Sequence, residues 1–208
     1  MPDLHSLALF MAASLALNLT PGPDMLYVAA RGAAEGRAAG VASALGIAAG
    51  TLVHIALVAG GLAALLAAVP VAYTAVRLGG AAYLVYLGAR SLLRPAGLAE
   101  RALTPASRWA VFRQGVVTNV LNPKVALFFL AFLPQFVDPA RGSAALQVVA
   151  LGLLFNTSGT LVNLAVALGA SGAAGRLRRG ARTAQLLERL TGVLFIALGV
   201  RLALAGRR

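Results

Sequence analysis

Long apolar runs recur from end to end of this 208-residue chain, and they restrict it to very few folds. A bilayer core about 30 Å thick is crossed by about 20 helical residues, each adding about 1.5 Å. Six stretches are of that order: residues about 4–30, 39–68, 71–93, 109–135, 143–170 and 186–205. Hydrophobic residues make up 60% of the chain, against about 45–50% in a soluble domain. The reading is an all-α polytopic membrane protein of about six transmembrane helices, with the lipid bilayer as its solvent.

Charge orients those spans. The formal net charge is +12, and the basic residues gather in the short segments between runs. Arg31 and Arg37 follow run one, Arg90, Arg94, Arg101, Arg108 and Arg113 surround the start of run four, and Arg176, Arg178, Arg179 and Arg182 follow run five. The opposite side has Arg141 and little else, apart from the tail residues Arg201, Arg207 and Arg208. The positive-inside rule puts the segments between runs one and two, three and four, and five and six in the cytoplasm. Nucleic acid is a poor account of basic residues spread in this way. The N-terminus, with Asp3 and no basic residue before the apolar run, does not read as a signal peptide.

The chemistry classes narrow further. The chain has no cysteine, which excludes disulfides, thiolate metal sites and thiol catalysis. No Gly-rich phosphate loop, acid pair or metal-ligand cluster is visible, so no enzyme activity and no cofactor are expected.

Two of the runs are interrupted. The first contains Asn18-Leu-Thr-Pro21-Gly22-Pro23-Asp24, and the fourth contains Asn119-Val-Leu-Asn122-Pro123-Lys124. Proline lacks an N–H and clashes with the preceding turn, so each break frees backbone carbonyls. Gly22 between two prolines is expected to supply unusual backbone torsions. A single proline reads as a simple kink; Pro-Gly-Pro reads as an unwound segment, tolerated at depth only where it is buried in protein or lines a wet cavity. The polar stretch 94–108 divides the chain into a first half, 1–93, and a second half, 109–208, of three runs each. An odd number of crossings separates their starts, so the halves are inverted. Broken helices at matching positions of inverted halves point to a transporter binding site.

The breaks carry the candidate residues. An aspartate or lysine at mid-span costs about 2.5–3.5 kcal/mol on insertion scales. Asp24 is either a cap of the second half-helix or a proton- or substrate-binding carboxylate. Lys124 is the only lysine among 18 basic residues. It either snorkels to an interface, pairs with Asp24 across the halves, or joins exposed N–H groups in holding a substrate carboxylate. Asn18, Asn119 and Asn122 are polar supports of the breaks. Glycines 32, 36, 40, 46 and 50 form a small-residue packing stripe, and His54 continues it, as a packing residue or a proton relay. In run five, Gly152, Asn156, Gly159, Thr160 and Asn163 make a second stripe, either bridging helices or lining a polar path.

"LTPGPDMLYVAARGAAEGRAAGVASALGIAAG" and "NVLNPKVALFFLAFLPQFVDP" resemble the two signatures of the LysE/RhtB family of amino-acid exporters, in the same order. The similarity covers essentially the whole chain. Asp24 stands where many members have asparagine. The resemblance implies export of amino acids or close derivatives from the cytoplasm, coupled to protons, across a bacterial inner membrane. On that expectation the chain is an amino acid/proton antiporter, with Asp24, Lys124, Asn18, Asn122, Asn119, His54 and Asn156 binding substrate or protons and Pro21, Gly22, Pro23 and Pro123 shaping the breaks. An uncoupled channel or facilitator for small polar solutes is the first alternative, a non-transporting membrane scaffold the second. A homo-oligomer is compatible with all three.

Overall fold

The computed structural model describes residues 3–68 and 104–170, together with scattered positions between 78 and 93 and between 189 and 204. Six α-helices order the two continuous stretches: α1 (Leu4–Leu19), α2 (Pro23–Glu35), α3 (Arg37–Ala68), α4 (Arg108–Val120), α5 (Pro123–Leu127) and α6 (Ala144–Ala170). After α5 the chain passes through a π turn, Phe128–Phe132, and a 3-10 turn, Leu133–Phe136. Among the described residues there is no strand.

The two expected breaks are real, and proline builds both. Thr20 ends α1 in an extended conformation, φ −74° and ψ 124°, as a residue before proline must. Pro23 then opens α2 at its first position, where the missing N–H is not needed. The axes of α1 and α2 differ by 47°. In the second case Asn122 accepts the Lys124 N–H at 3.0 Å, Pro123 opens α5, and the bend is 46°. Each bent pair, taken together, is long and apolar enough for one crossing. With the continuous helices α3 and α6, the described residues hold up to four membrane crossings. The third and sixth apolar runs fall mostly outside the described residues.

Two expectations are corrected. Run one was read as ending near residue 30, with Arg31 a loop charge. Instead α2 continues to Glu35, and Arg31 is 3% exposed. The helix continues because Arg31 pairs with Glu35 one turn on, so neither charge is buried alone. Gly22 has φ −161° and ψ −177°, extended backbone open to any residue, so unusual torsion is not its reason for being glycine. Space is: an added Cβ would lie 3.1 Å from Lys124 Nζ.

Glycine sets the close helix crossings. Gly36, φ +84°, is the single residue between α2 and α3 and turns them into a tight hairpin. Along α3, Gly46 and Gly50 pack onto α4, where Gly46 faces the Phe112 carbonyl and a Cβ on Gly50 would lie 2.8 Å from the Asn119 side chain. From α4, Gly115 returns the contact, its notional Cβ 2.8 Å from the Ser43 carbonyl. Gly32 and Gly40 take Ala167 of α6. The stripe therefore packs helices. Gly88 and Gly192 meet in the same manner, as do Gly199 and Ala81, which places the third and sixth runs together at those positions.

Aromatic side chains fill one end of this bundle. Phe10 of α1, Phe128, Phe129 and Phe132 of the π turn and Phe155 of α6 form the main buried cluster, with Phe136 packed against it. Ring centroids lie 4.7 Å apart for Phe128–Phe155 and 5.3 Å for Phe10–Phe136. A second, smaller core of Val28, Ala44, Ile47 and Ala167 sits between α2, α3 and α6.

Candidate functional site

The breaks of the two bent helices meet, and each is completed by a residue of the other. At the end of α1, Pro21 and Pro23 supply no N–H, which leaves the carbonyls of the last turn in need of donors. Lys124 provides them, donating from Nζ to the Leu17 and Thr20 carbonyls at 3.0 Å each. Its ammonium is turned into the protein, so snorkelling to an interface does not describe it. Gly22 leaves the space through which it passes.

Asp24 reaches the opposite way. Its Oδ2 accepts the Asn119 amide at 2.7 Å, in the last turn of α4. Asn119 is itself held on two sides. Thr51 Oγ1 lies 3.3 Å from its Oδ1, which leaves the amide nitrogen facing Asp24. His54 Nε2 is 3.1 Å from its backbone carbonyl, and since a carbonyl can only accept, Nε2 carries the proton. The His54 ring also stacks on Phe129 at 5.8 Å. Asp24 thus has one satisfied oxygen, while Oδ1 is buried with no hydrogen-bond partner. Asn122 Nδ2 is buried and unpartnered as well. Unpaired buried polar atoms are uncommon and each carries a desolvation cost.

The Asp24–Lys124 ion pair is not formed. Among the described residues the ion pairs are Arg31–Glu35 and Arg141–Asp138. The physical reason is local: the carbonyls opened by the first break compete for the ammonium and win it, while Asn119 takes the carboxylate.

A cavity opens beside Asp24, lined by Asn18, Asn119, Asn156, Thr51, Thr160 and Asn163, with Ile47, Val125 and Phe155 as its apolar wall. Asn18 donates to Ser158 Oγ at 3.0 Å, which fixes its amide against α6. Asn156 and Thr160 face the cavity from the same helix, at 3.5 Å from each other. The volume open to the centres of water-sized spheres is about 20 Å³, room for about one or two waters. In this conformation the polar groups are assembled and the space is closed to an amino acid. Of the residues singled out from sequence, Asp24, Asn18, Asn119 and Asn156 face the cavity; Lys124, Asn122 and His54 stand behind it.

Sequence reasoning missed Thr51, which orients Asn119, and the pairing of buried Arg31 with Glu35. Thr51 lies between Ile47 and His54 on the stripe and resembles any helix threonine. Its signal is the spacing of four from Ile47 and three from His54, which puts it on the face of His54. Arg31 was hidden by being counted as a loop charge.

The LysE type translocator family model matches residues 15–206. The chain is 34% identical to an uncharacterized membrane protein of Pseudomonas aeruginosa over 90% of this chain and 89% of that one. It is 29% identical to a homoserine/homoserine lactone efflux protein of Salmonella typhimurium, over 94% of this chain and 95% of that protein. It is also 27% identical to a leucine efflux protein of Klebsiella pneumoniae, over 93% and 92% respectively. No solved structure matches it.

Proposed function

The chain belongs to the LysE type translocator family, and we propose that it exports an amino acid or close derivative from the cytoplasm in exchange for protons. It is a multi-pass membrane protein; its place in this reading is a bacterial inner membrane, with the basic segments inside. The relatives named for leucine and homoserine efflux support the substrate class.

One observation carries the mechanism: Asp24 holds a buried oxygen without a partner, at the meeting of two helix breaks and on the wall of a polar cavity. A primary ammonium has three N–H donors. It satisfies Oδ1 and neutralises the carboxylate in one step, and a proton does the same. The two cannot occupy the carboxylate together. That exclusion is the coupling: outward-facing Asp24 releases substrate as it takes a proton, and inward-facing Asp24 loses the proton as it takes substrate. The amides of Asn119 and Asn156, which line the cavity, offer donors for a substrate carboxylate. Lys124 keeps α1 terminated beside the site. Ile47, Val125 and Phe155 receive an apolar side chain.

The geometry also supports an inverted repeat of 1–93 and 109–208 joined by 94–108. Asp24 and Lys124 each directly follow the first-position proline of the second half-helix. Asn18 of α1 bonds α6, and Asn119 of α4 bonds α3, so each bent helix is anchored on the long helix of the other half. Reconstituted vesicles test the function. Efflux of a candidate amino acid driven by an imposed proton gradient, with counterflow in its absence, is the expected result; flux indifferent to the gradient assigns the uncoupled facilitator instead.

A further inference from the structure

We propose that the seam between α2 and α4 is the cytoplasmic gate of the transporter, and that Tyr27, Arg31, Glu35 and Gln114 are the latch holding it shut. The inference rests on the exporter reading above.

Residues 24, 27, 31 and 35 succeed one another along one face of α2, and every one of them makes a polar contact across the seam. Asp24 meets Asn119 at 2.7 Å. Tyr27 donates its hydroxyl to the Val111 carbonyl at 2.7 Å. Arg31 donates from Nη2 to Gln114 Oε1 at 2.7 Å and from Nη1 to the Thr104 carbonyl at 3.0 Å, besides pairing with Glu35. Glu35 Oε2 accepts the Ala106 N–H at 3.3 Å. The seam therefore runs as a polar ladder from the cavity to the residues just before α4. It ends beside Arg37 and Arg108, on the basic side of the molecule that the positive-inside rule places in the cytoplasm.

A different chemistry holds the aromatic cluster, where Phe10, Phe128, Phe132, Phe136 and Phe155 pack ring on ring, Phe155 also lining the cavity. When a polar seam parts, its groups exchange protein partners for water at small net cost. When an aromatic plug parts, apolar surface is exposed to water, which opposes opening. Of the two, the α2–α4 seam is the one that hydrates readily. Arg31 fits this role better than that of a static strut. It is 3% exposed, holds three acceptors on three segments of chain, and still leaves Nε buried without a partner.

The chain has no cysteine, so introduced cysteines report without background. Thr160→Cys places a reporter in the cavity. Adding Gln114→Ala or Tyr27→Phe is expected to speed its labelling by a membrane-impermeant methanethiosulfonate from the cytoplasmic face by about fivefold, the factor for one net hydrogen bond. Gln114→Glu, which keeps an acceptor for Arg31, leaves the rate near that of the parent. Tyr27→Phe removes a single oxygen and decides the matter if Gln114→Ala fails to fold. Unchanged labelling in both variants overturns the latch. An Arg31→Cys/Gln114→Cys pair joined by a short bifunctional thiol reagent is expected to stop efflux and to recover it on reduction; efflux that persists after cross-linking overturns the gate. Absence of efflux from the unmodified protein removes the exporter reading but leaves the labelling result to judge the seam.

Discussion

Asp24 and Lys124 hold the same place in the two broken helices, each directly after a first-position proline, yet they do not form an ion pair. Each reaches instead into the bent helix of the other: Lys124 to the carbonyls that end α1, Asp24 to the amide in the last turn of α4. Opposite charges at depth are therefore accommodated by backbone and amide partners.

Removing Lys124 is expected to harm the fold more than removing Asp24. Lys124→Met leaves the Leu17 and Thr20 carbonyls without their charged donor, and each such bond is worth about 1.5–3 kcal/mol. Thermal unfolding in detergent should show a clear loss for Lys124→Met and a small one for Asp24→Asn. The double variant should be no more stable than Lys124→Met alone. Recovery of stability in the double variant is the signature of an ion pair and contradicts the observed geometry.

Asp24→Asn is expected to keep the protein inserted and to uncouple it. Under the proposed exchange, acidifying the cytoplasmic face is expected to protonate Asp24, exclude the substrate ammonium and slow efflux, and acidifying the outer face to speed release. The variant cannot titrate there, so its efflux should be flat with pH on both faces. Loss of a charged hydrogen bond of about 1.5–3 kcal/mol should raise KM by about tenfold or more. Stopped-flow vesicle assays across a pH series measure both effects.

His54 donates to a carbonyl through Nε2 and stacks on Phe129, so its role in this structure is to hold Asn119. His54→Gln should lower the rate of efflux while leaving the shape of its pH profile unchanged. A profile displaced along the pH axis instead assigns His54 to the proton path.

Gly50→Ala tests the glycine crossing at the point where packing and site coincide. The added Cβ would lie 2.8 Å from Asn119 Cβ and 2.9 Å from its Oδ1. Overpacking of this sort costs about 1–3 kcal/mol. The displaced amide should weaken substrate binding as well as stability. Gly60→Ala, on the same helix with open space around it, is the control and should change neither.

The breaks were readable from sequence because proline is unambiguous: Thr20-Pro21 and Asn122-Pro123 fix helix ends by sterics alone. The all-α class and the bent spans were readable because apolar length is a direct physical demand of the bilayer. The partner of Lys124 was not readable. Carbonyls have no letter in a sequence, whereas Asp24 does, so the readings open for Lys124 did not include the carbonyls that hold it. Arg31 failed for a related reason: its neutralising partners include Gln114 and the Thr104 carbonyl, more than 70 residues away. Thr51 was hidden because its importance lies only in the orientation it gives to Asn119.

Gly22, Lys124, Asp24 and Asn119 together have a mechanical consequence. The two bends, 47° and 46°, are elbows tied to each other by crossed cords. Each cord runs from one bent helix to the other, so a movement of either elbow bears on the other. Of the two cords, only the one ending on Asp24 can be slackened by a proton or by an ammonium ion. A chemical event on one carboxylate thereby falls on a contact that joins the two bent helices.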